Sequence, residues 1–245
     1  SCPKSVPLSA LSSVLVMDVS GSMQVGQPKI TNMDLAKRAA STWVNSIPLG
    51  ACESAVASFD NVNYMNQDFT TNKSKLQRAI DRLVPQGSTN YDAALITPMA
   101  GGLQVTKSAK FQKVILLFSD GLPSSDPETS RIIEESKSQN CKIFCLSFGF
   151  LAPKCMKDIA EQTGGRYFEE IKTLEQAEQV ARIIFNETIG KSACSISWES
   201  SVGCLTQAGN IQLTWLNQIS TANYVIEKSK LASLIVNPSY VSFGK

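Results

Sequence analysis

Three oxygen-bearing side chains follow one hydrophobic segment at two-residue spacing. Asp18, Ser20 and Ser22 come directly after the apolar residues 14–17 (VLVM), and Gly21 permits a sharp bend of the backbone. In a loop that leaves a strand, this spacing can turn all three side chains toward one point. Carboxylate and hydroxyl oxygens are the ligands that hard divalent cations prefer, so the pattern indicates Mg²⁺, with Mn²⁺ or Ca²⁺ as alternatives.

A second carboxylate and a further hydroxyl stand at comparable places later in the chain. Asp120 follows the apolar residues 113–119 (KVILLFS), and Thr89 ends the run Gly87-Ser88-Thr89 before a predicted helix. Ligands bind beyond the carboxyl ends of strands in an open parallel sheet, so we expect these groups to meet there. Two carboxylates about 4 Å apart repel by roughly 4 kcal/mol at an effective dielectric of about 20, which a cation relieves. The expected metal ligands are Asp18, Ser20, Ser22, Thr89 and Asp120.

The segments that must position these residues alternate between strand and helix. The core of residues 12–20, from Val14 to Met17, is apolar on both faces, as are residues 113–119 and 142–148, which is typical of central strands in a parallel sheet. A helix after the first strand is predicted from apolar residues at steps of three and four, namely Met33, Ala36, Ala40, Trp43 and Ile47. The alternation over residues 12–189 predicts an α/β fold with a doubly wound, mostly parallel sheet and helices on both faces.

Shorter signals complete this arrangement. Residues 54–59 and 61–70 read as strands joined by a tight turn, which predicts an antiparallel hairpin. Helices are predicted over residues 73–83 and 154–162, and an edge strand over 166–170. Thr173 and Gln176 have the spacing of a capping box for a last helix that reaches Thr188.

Two helices carry expectations about single residues. A helix from Asn90 is expected to kink at Pro98 and to turn its apolar side chains inward, namely Tyr91, Ala94, Leu95 and Met99. The pair Asp126-Pro127 is expected to supply the N-cap and the first turn of the following helix.

After Gly190 the helical pattern stops and short strand-like segments follow. They are residues 195–198, 211–215, 224–227, 234–236 and 240–243. We therefore predict an N-terminal extension (1–11), an α/β domain (12–190) and a small, incomplete all-β region (191–245). The chain begins at Ser1-Cys2-Pro3 without a signal peptide, which is typical of a processed or trimmed end.

Composition excludes several classes of function. Histidine is absent, so Ser-His-Asp and Cys-His pairs, histidine bases and histidine-bound zinc are all ruled out. The net charge is +2 and no basic patch with interleaved aromatics is present, which argues against a nucleic-acid partner. No stretch approaches the roughly 18 apolar residues of a membrane-spanning helix, so direct membrane insertion is not expected.

The chain has seven cysteines, more than a cytosolic domain usually contains, and disulfides suit an exported protein. None forms a CxxC pair, so a zinc ribbon is not expected. The odd number leaves at least one thiol free or paired between chains. Cys145 lies in an apolar run and is predicted to be a small buried residue, whereas Cys194 and Cys204 are spaced to close a short loop.

The ordered set Asp-x-Ser-x-Ser, Gly-Ser-Thr and Ser-Asp-Gly resembles the metal-ion-dependent adhesion site of von Willebrand factor type A domains, over residues 10–189. This resemblance implies a six-stranded sheet with one antiparallel edge strand. It implies direct metal binding by Ser20 and Ser22, variable contact by Thr89 and Asp120, and an anchoring role for Asp18. It also implies Mg²⁺-dependent binding to an Asp or Glu of a partner protein. The corresponding setting is an extracellular or cell-surface, multidomain adhesion protein and not an enzyme.

Two other functions share part of this pattern. A haloacid-dehalogenase-type phosphatase also has a strand that ends in Asp and uses Mg²⁺. That class needs a second Asp two residues later as acid and base, and this chain has Ser20 there. The other alternative is a structural module that binds metal and no partner. The motifs GxxxxGK and GxGxxG, which mark P-loop and dinucleotide-binding enzymes, are absent.

Overall fold

A computed structural model of the chain describes residues 10–189, 208–215, 218–226 and 234–237. The longer strands up to residue 189 are β1 (Leu11–Asp18), β4 (Glu53–Phe59), β5 (Asn63–Thr70), β6 (Gln112–Ser119), β7 (Lys142–Phe148) and β8 (Tyr167–Ile171), with two-residue strands β2 (Gly26–Gln27) and β3 (Ile30–Thr31). The helices are α1 (Asn32–Ser46), α2 (Lys73–Asp81), α3 (Tyr91–Leu95), α4 (Gly102–Val105), α5 (Thr129–Ser138), α6 (Lys154–Gln162) and α7 (Leu174–Thr188).

Six strands form one sheet in the order β5-β4-β1-β6-β7-β8. Neighbouring strands are parallel, except that β5 runs antiparallel to β4, as the hairpin prediction requires. The predicted α/β fold with a mostly parallel six-stranded sheet is therefore confirmed, as is the edge position of β8.

The sheet is buried on both faces because its central strands carry apolar side chains on both faces. Helices α1, α2 and α7 cover one face, where Trp43 is fully buried. Helices α3, α4, α5 and α6 cover the other face, where Cys145 lies in the core as predicted. Burial of apolar surface on both sides holds β1 and β6 rigidly in the middle of the fold, and these strands lead to the predicted site.

Helices α1 and α7 begin at capping boxes. Thr31 pairs with Asp34 at the start of α1, and Thr173 pairs with Gln176 at the start of α7. The capping box predicted at Thr173 and Gln176 is therefore confirmed. The two helices pack together, with Trp43 meeting the ring of Phe185 edge-on at 6.1 Å. The entry into α1 matters for function because its first residue faces the predicted metal site.

The prediction for the segment after Asn90 is partly wrong. Helix α3 ends at Leu95, so Pro98 lies beyond the helix and does not kink it. Met99 is 90% exposed and has a φ of 80°, whereas the prediction turned it inward. The cause is that proline disfavours helical geometry at the preceding residue, so the helical register is lost before Met99.

The predicted capping role of Asp126 is also wrong. Helix α5 begins at Thr129, with Glu128 at the N-cap position and no side-chain cap. Asp126 is exposed in the loop that precedes the helix. The two prolines of this loop, Pro123 and Pro127, favour extended backbone before them and delay the start of the helix.

Beyond residue 207 the described segments are three antiparallel strands, β9 (Ala208–Trp215), β10 (Gln218–Ile226) and β11 (Leu234–Asn237), in the order β11-β10-β9. The strands predicted at residues 195–198 and 240–243 lie outside the described residues. The boundaries 1–11, 12–190 and 191–245 remain a prediction.

Four cysteines lie in the described segments and all are thiols: Cys52, Cys141, Cys145 and Cys155. Cys2, Cys194 and Cys204 lie outside the described residues, so disulfide pairing remains a prediction. No helix in the described part of the chain is long and apolar enough to cross a membrane.

Candidate metal centre

The candidate centre lies where two neighbouring parallel strands end. The backbones of β1 and β6 run side by side to the pair Met17 and Phe118. Asp18 is the last residue of β1, and Asp120 directly follows β6. Both residues are buried, since Asp18 is 0% exposed and Asp120 is 1% exposed. Strand order thus brings together two carboxylates that are about a hundred positions apart in the sequence.

Asp18 accepts two hydrogen bonds that fix its carboxylate. Oδ1 accepts from the backbone N–H of Ser20 at 2.7 Å, which folds the following loop back over the strand end. Oδ2 accepts from the hydroxyl of Ser119 at 2.5 Å. One carboxylate therefore sets both the loop after β1 and its contact with β6.

The two serines connect Asp18 with Asp120. Ser20 Oγ and Ser22 Oγ are 3.0 Å apart, and Ser22 Oγ donates to Asp120 Oδ1 at 2.8 Å. Ser20 is buried, whereas Ser22 is exposed at the start of a short 3-10 turn. Four of the five residues chosen from the sequence thus form one chain of hydrogen-bonding groups.

Thr89 belongs to a third loop that is tied to the first. The N–H of Gly21 donates to the carbonyl of Gly87 at 3.0 Å, two residues before Thr89. Thr89 is held through its backbone, since its carbonyl accepts from Ser124 N at 2.8 Å and its N–H donates to Ser124 Oγ at 3.2 Å. The residue is only 5% exposed. These backbone contacts hold Thr89 in the loop next to Gly21.

Burial makes the carboxylate of Asp18 hard to ionise. The pKa of Asp18 is raised from 3.8 to about 6, chiefly because burial removes the carboxylate from water, with a smaller contribution from the nearby charge of Asp120. Hydrogen bonds from Ser119 and Ser20 partly oppose this rise. Within residues 10–189, neither Asp18 nor Asp120 forms an ion pair with a lysine or arginine. The fold therefore concentrates negative charge without a protein cation to balance it.

The donor set fits a hard divalent cation. Its groups are carboxylates and hydroxyls, the ligands that Mg²⁺, Mn²⁺ and Ca²⁺ take in proteins. No group of three or more His, Cys, Asp or Glu side chains in the described part of the chain is arranged to hold a metal ion. A cation here would accordingly depend on the hydroxyls of Ser20, Ser22 and Thr89 as well as the two carboxylates.

Three supporting residues were not chosen as site residues from the sequence. Asn32, the first residue of α1, donates from Nδ2 to Asp120 Oδ2 at 3.1 Å. Ser119 holds Asp18, and the hydroxyl of Tyr91 lies 3.1 Å from Ser119 Oγ and donates to the carbonyl of Gly121 at 2.6 Å. The sequence does point to Ser119, because it directly precedes Asp120 in the Ser-Asp-Gly motif. No such signal exists for Asn32, whose role depends on a contact 88 positions away in the sequence.

Comparison with known families agrees with this architecture. Residues 13–122 match the family model described as the von Willebrand factor type A domain. Over these residues the match agrees with the resemblance that the motifs show, and it ends two residues after Asp120. A comparison with curated protein sequences gave no match.

Solved structures share the fold at low sequence identity. A von Willebrand factor type A protein from Catenulispora acidiphila is 19% identical with a TM-score of 0.64, and the alignment covers 93% of this chain and 54% of that one. Proximal thread matrix protein 1 from the mussel byssus, with a zinc-occupied MIDAS motif, is 16% identical with a TM-score of 0.60, covering 74% and 46%. The domain of the type V pili tip protein Mfa5 from Porphyromonas gingivalis is 13% identical with a TM-score of 0.52, covering 78% and 99%.

Proposed function

We propose that this chain is a protein-binding or adhesion module that depends on a divalent cation, with Mg²⁺ as the expected ion. The ligands would be Asp18, Ser20, Ser22, Thr89 and Asp120, and an Asp or Glu of the partner protein would complete the coordination. The observation that carries the proposal is the pair of buried carboxylates, which lack a protein cation among the described residues and are connected by serine hydroxyls.

The balance of charged and neutral ligands favours an outside carboxylate. Asp18 and Asp120 together neutralise a divalent ion, and the hydroxyls add oxygen ligands without further negative charge. When bound, the ion supplies an electrophilic centre for a carboxylate. Ser22 is the exposed member of the set, so the side of the site near Ser22 is open to a partner.

The residues favour binding over catalysis. A phosphatase of the competing class would need a carboxylic acid at position 20, and the hydroxyl of Ser20 cannot act as a general acid and base at neutral pH. Asp18 is engaged by Ser20 N and Ser119 Oγ, which hold its carboxylate in place as an anchor. We expect no turnover of a generic aryl phosphate such as p-nitrophenyl phosphate. Mg²⁺-dependent turnover that Asp18→Asn abolishes would contradict the binding function.

Structural neighbours support an adhesive setting outside the cell. One belongs to a pilus tip and another to the byssus thread matrix. We propose an extracellular or cell-surface location within a larger multidomain protein, with a protein partner. No role with nucleic acid and no direct membrane insertion is proposed.

The first test is calorimetric titration of the metal-stripped chain with Mg²⁺, Mn²⁺, Ca²⁺ and Zn²⁺. One saturable site is expected, and Asp120→Ala should abolish it. Asp126→Ala is the matched control, because Asp126 is an exposed acidic residue six positions later and makes no hydrogen bond to the candidate ligands in the described structure. Equal loss in both variants, or no binding together with no rise in melting temperature at millimolar Mg²⁺, would overturn the metal mechanism.

The second test asks whether the bound ion accepts an outside carboxylate. Mn²⁺ makes the water-proton relaxation rate sensitive to water molecules on the metal. Acetate should displace such water and lower the relaxation enhancement, whereas acetamide at the same concentration should not. Metal binding without any acetate effect would instead favour the structural module that binds metal and no partner.

A further inference from the structure

A cationic pocket lies between the edge strand β5 and helix α2, which are segments that supply no candidate metal ligand. Its volume is about 320 Å³, at the lower end of the range for small-molecule sites. The lining residues are Asn66 and Gln67 of β5, Lys75, Arg78 and Ala79 of α2, and Arg82 directly after the helix. The lining thus has three basic side chains, two amides and no acidic group.

Helical spacing puts the three basic residues on one side of α2. Lys75, Arg78 and Arg82 are separated by three and four positions, which is the spacing of neighbours along one helix face. Leu76 and Ile80 lie on another face and are buried in the core, so their packing fixes the orientation of α2 and with it the position of the three charges. The small side chain of Ala79 leaves open space between the longer ones.

These cations differ from most others in the described structure in having no carboxylate partner. Nine lysines and arginines form ion pairs within residues 10–189, namely Arg38, Lys107, Lys110, Arg131, Lys154, Lys157, Arg166, Lys172 and Arg182. Lys75, Arg78 and Arg82 form none there. Of the acidic residues near them in sequence, Asp81 accepts from Gln77 Nε2 and Asp68 accepts from the N–H of Phe69.

We propose that this pocket binds an oxyanion, the phosphate or sulfate group of a small molecule or sugar. Arginine presents N–H donors in a planar fork that matches such groups, and lysine adds a point charge. The amide of Gln67 donates to the carbonyl of Asp68 and keeps a second N–H. Three positive charges that converge on one concave surface attract a doubly charged group more strongly than a single carboxylate.

The test uses the full 245-residue chain after passage over chelating resin, because phosphate also binds divalent cations. Calorimetric titrations with inorganic phosphate, pyrophosphate and a sulfated heparin disaccharide separate phosphoryl from sulfated ligands. The variant Arg78→Gln/Arg82→Gln removes two charges and keeps good helix formers at both positions. The control Arg131→Gln/Lys172→Gln removes the same charge on other elements.

We expect at least one of the three probes to bind at one site. The pocket variant should lower the affinity for that probe tenfold or more, while the control variant should change it by less than twofold. The probe that binds most tightly then shows whether the natural group is a phosphate or a sulfate. Equal weakening in both variants would mean general attraction to surface charge and overturn the proposal, as would no saturable binding of any probe. Neither result bears on the metal centre, because Asp18 and Asp120 are unchanged.

Discussion

The buried carboxylate of Asp18 makes a quantitative prediction about stability and pH in the absence of metal. Its pKa rises from 3.8 to about 6 on folding, chiefly because of burial. A raised pKa means that the folded state favours the protonated form, by about 3 kcal/mol for a difference of this size. This contribution is fully present below the unfolded pKa and is lost as the pH rises through about 6. Between pH 5 and pH 7 the loss is about 1.3 kcal/mol.

The assay is urea unfolding of metal-stripped chain from pH 5 to pH 7, followed by circular dichroism at a helix-sensitive wavelength. The comparison variant is Asp18→Asn, whose side-chain oxygen can still accept from Ser20 N but does not titrate. The free energy of unfolding of the wild type should fall by about 1.3 kcal/mol relative to the variant over this range. Parallel pH profiles for the two proteins would refute the reasoning, because they would show that Asp18 ionises in the folded state without cost.

Magnesium should reverse this pH dependence in the wild type alone. Binding needs ionised carboxylates, so stabilisation by Mg²⁺ should be greater at pH 7 than at pH 5 and should grow with the logarithm of its concentration. Asp18→Asn should show little of either effect. An equal gain in stability at both pH values would show that metal binding does not depend on the ionisation of Asp18.

Three further substitutions test the support of the site. Asn32→Ala removes the buried donor to Asp120, so it should weaken Mg²⁺ binding roughly 10- to 100-fold by calorimetry and also lower the metal-free unfolding free energy by about 1–3 kcal/mol. Ser119→Ala leaves one oxygen of Asp18 without its hydrogen bond and should lower the metal-free unfolding free energy by about 1–3 kcal/mol, measured in urea. Gly149→Ala, at a φ of 78° and with its new Cβ 2.9 Å from Asn32 Oδ1, should cost at least about 1 kcal/mol and weaken Mg²⁺ binding as well. Unchanged metal affinity in Asn32→Ala and Gly149→Ala would show that Asp120 needs no support from α1.

The sequence predicted the parts of the fold that depend on local pattern. Residues apolar on both faces indicate buried parallel strands, and the ends of such strands meet at one edge of a sheet, so the residue pattern alone was enough to pair Asp18 with Asp120. The capping box at Thr173 and Gln176 was equally readable, because both partners lie within one turn. These features are fixed by spacing along the chain.

The sequence did not reveal features that depend on competition between helical and extended backbone, or on contacts between residues far apart in the chain. Met99 was assigned to a helix face, but Pro98 ends helical geometry, and no periodicity argument weighs that cost. Asp126 satisfied the cap pattern, yet the prolines around it keep the backbone extended until Thr129. The role of Asn32 depends on how α1 docks beside β6, which no local pattern records.

Exposure within the site also indicates how a partner would approach. Asp18 is fully buried and carries the hydrogen bonds that shape the loop, so it cannot move to meet a ligand without breaking contacts to Ser20 and Ser119. Ser22 is exposed and shares Asp120 with the buried Asn32. A metal ion that takes Ser22 Oγ as a ligand uses a lone pair of that oxygen, so the hydroxyl can keep donating its proton to Asp120 Oδ1. The buried side of the site is therefore formed by Asp18 and Asp120, and an incoming carboxylate would approach from the exposed side at Ser22.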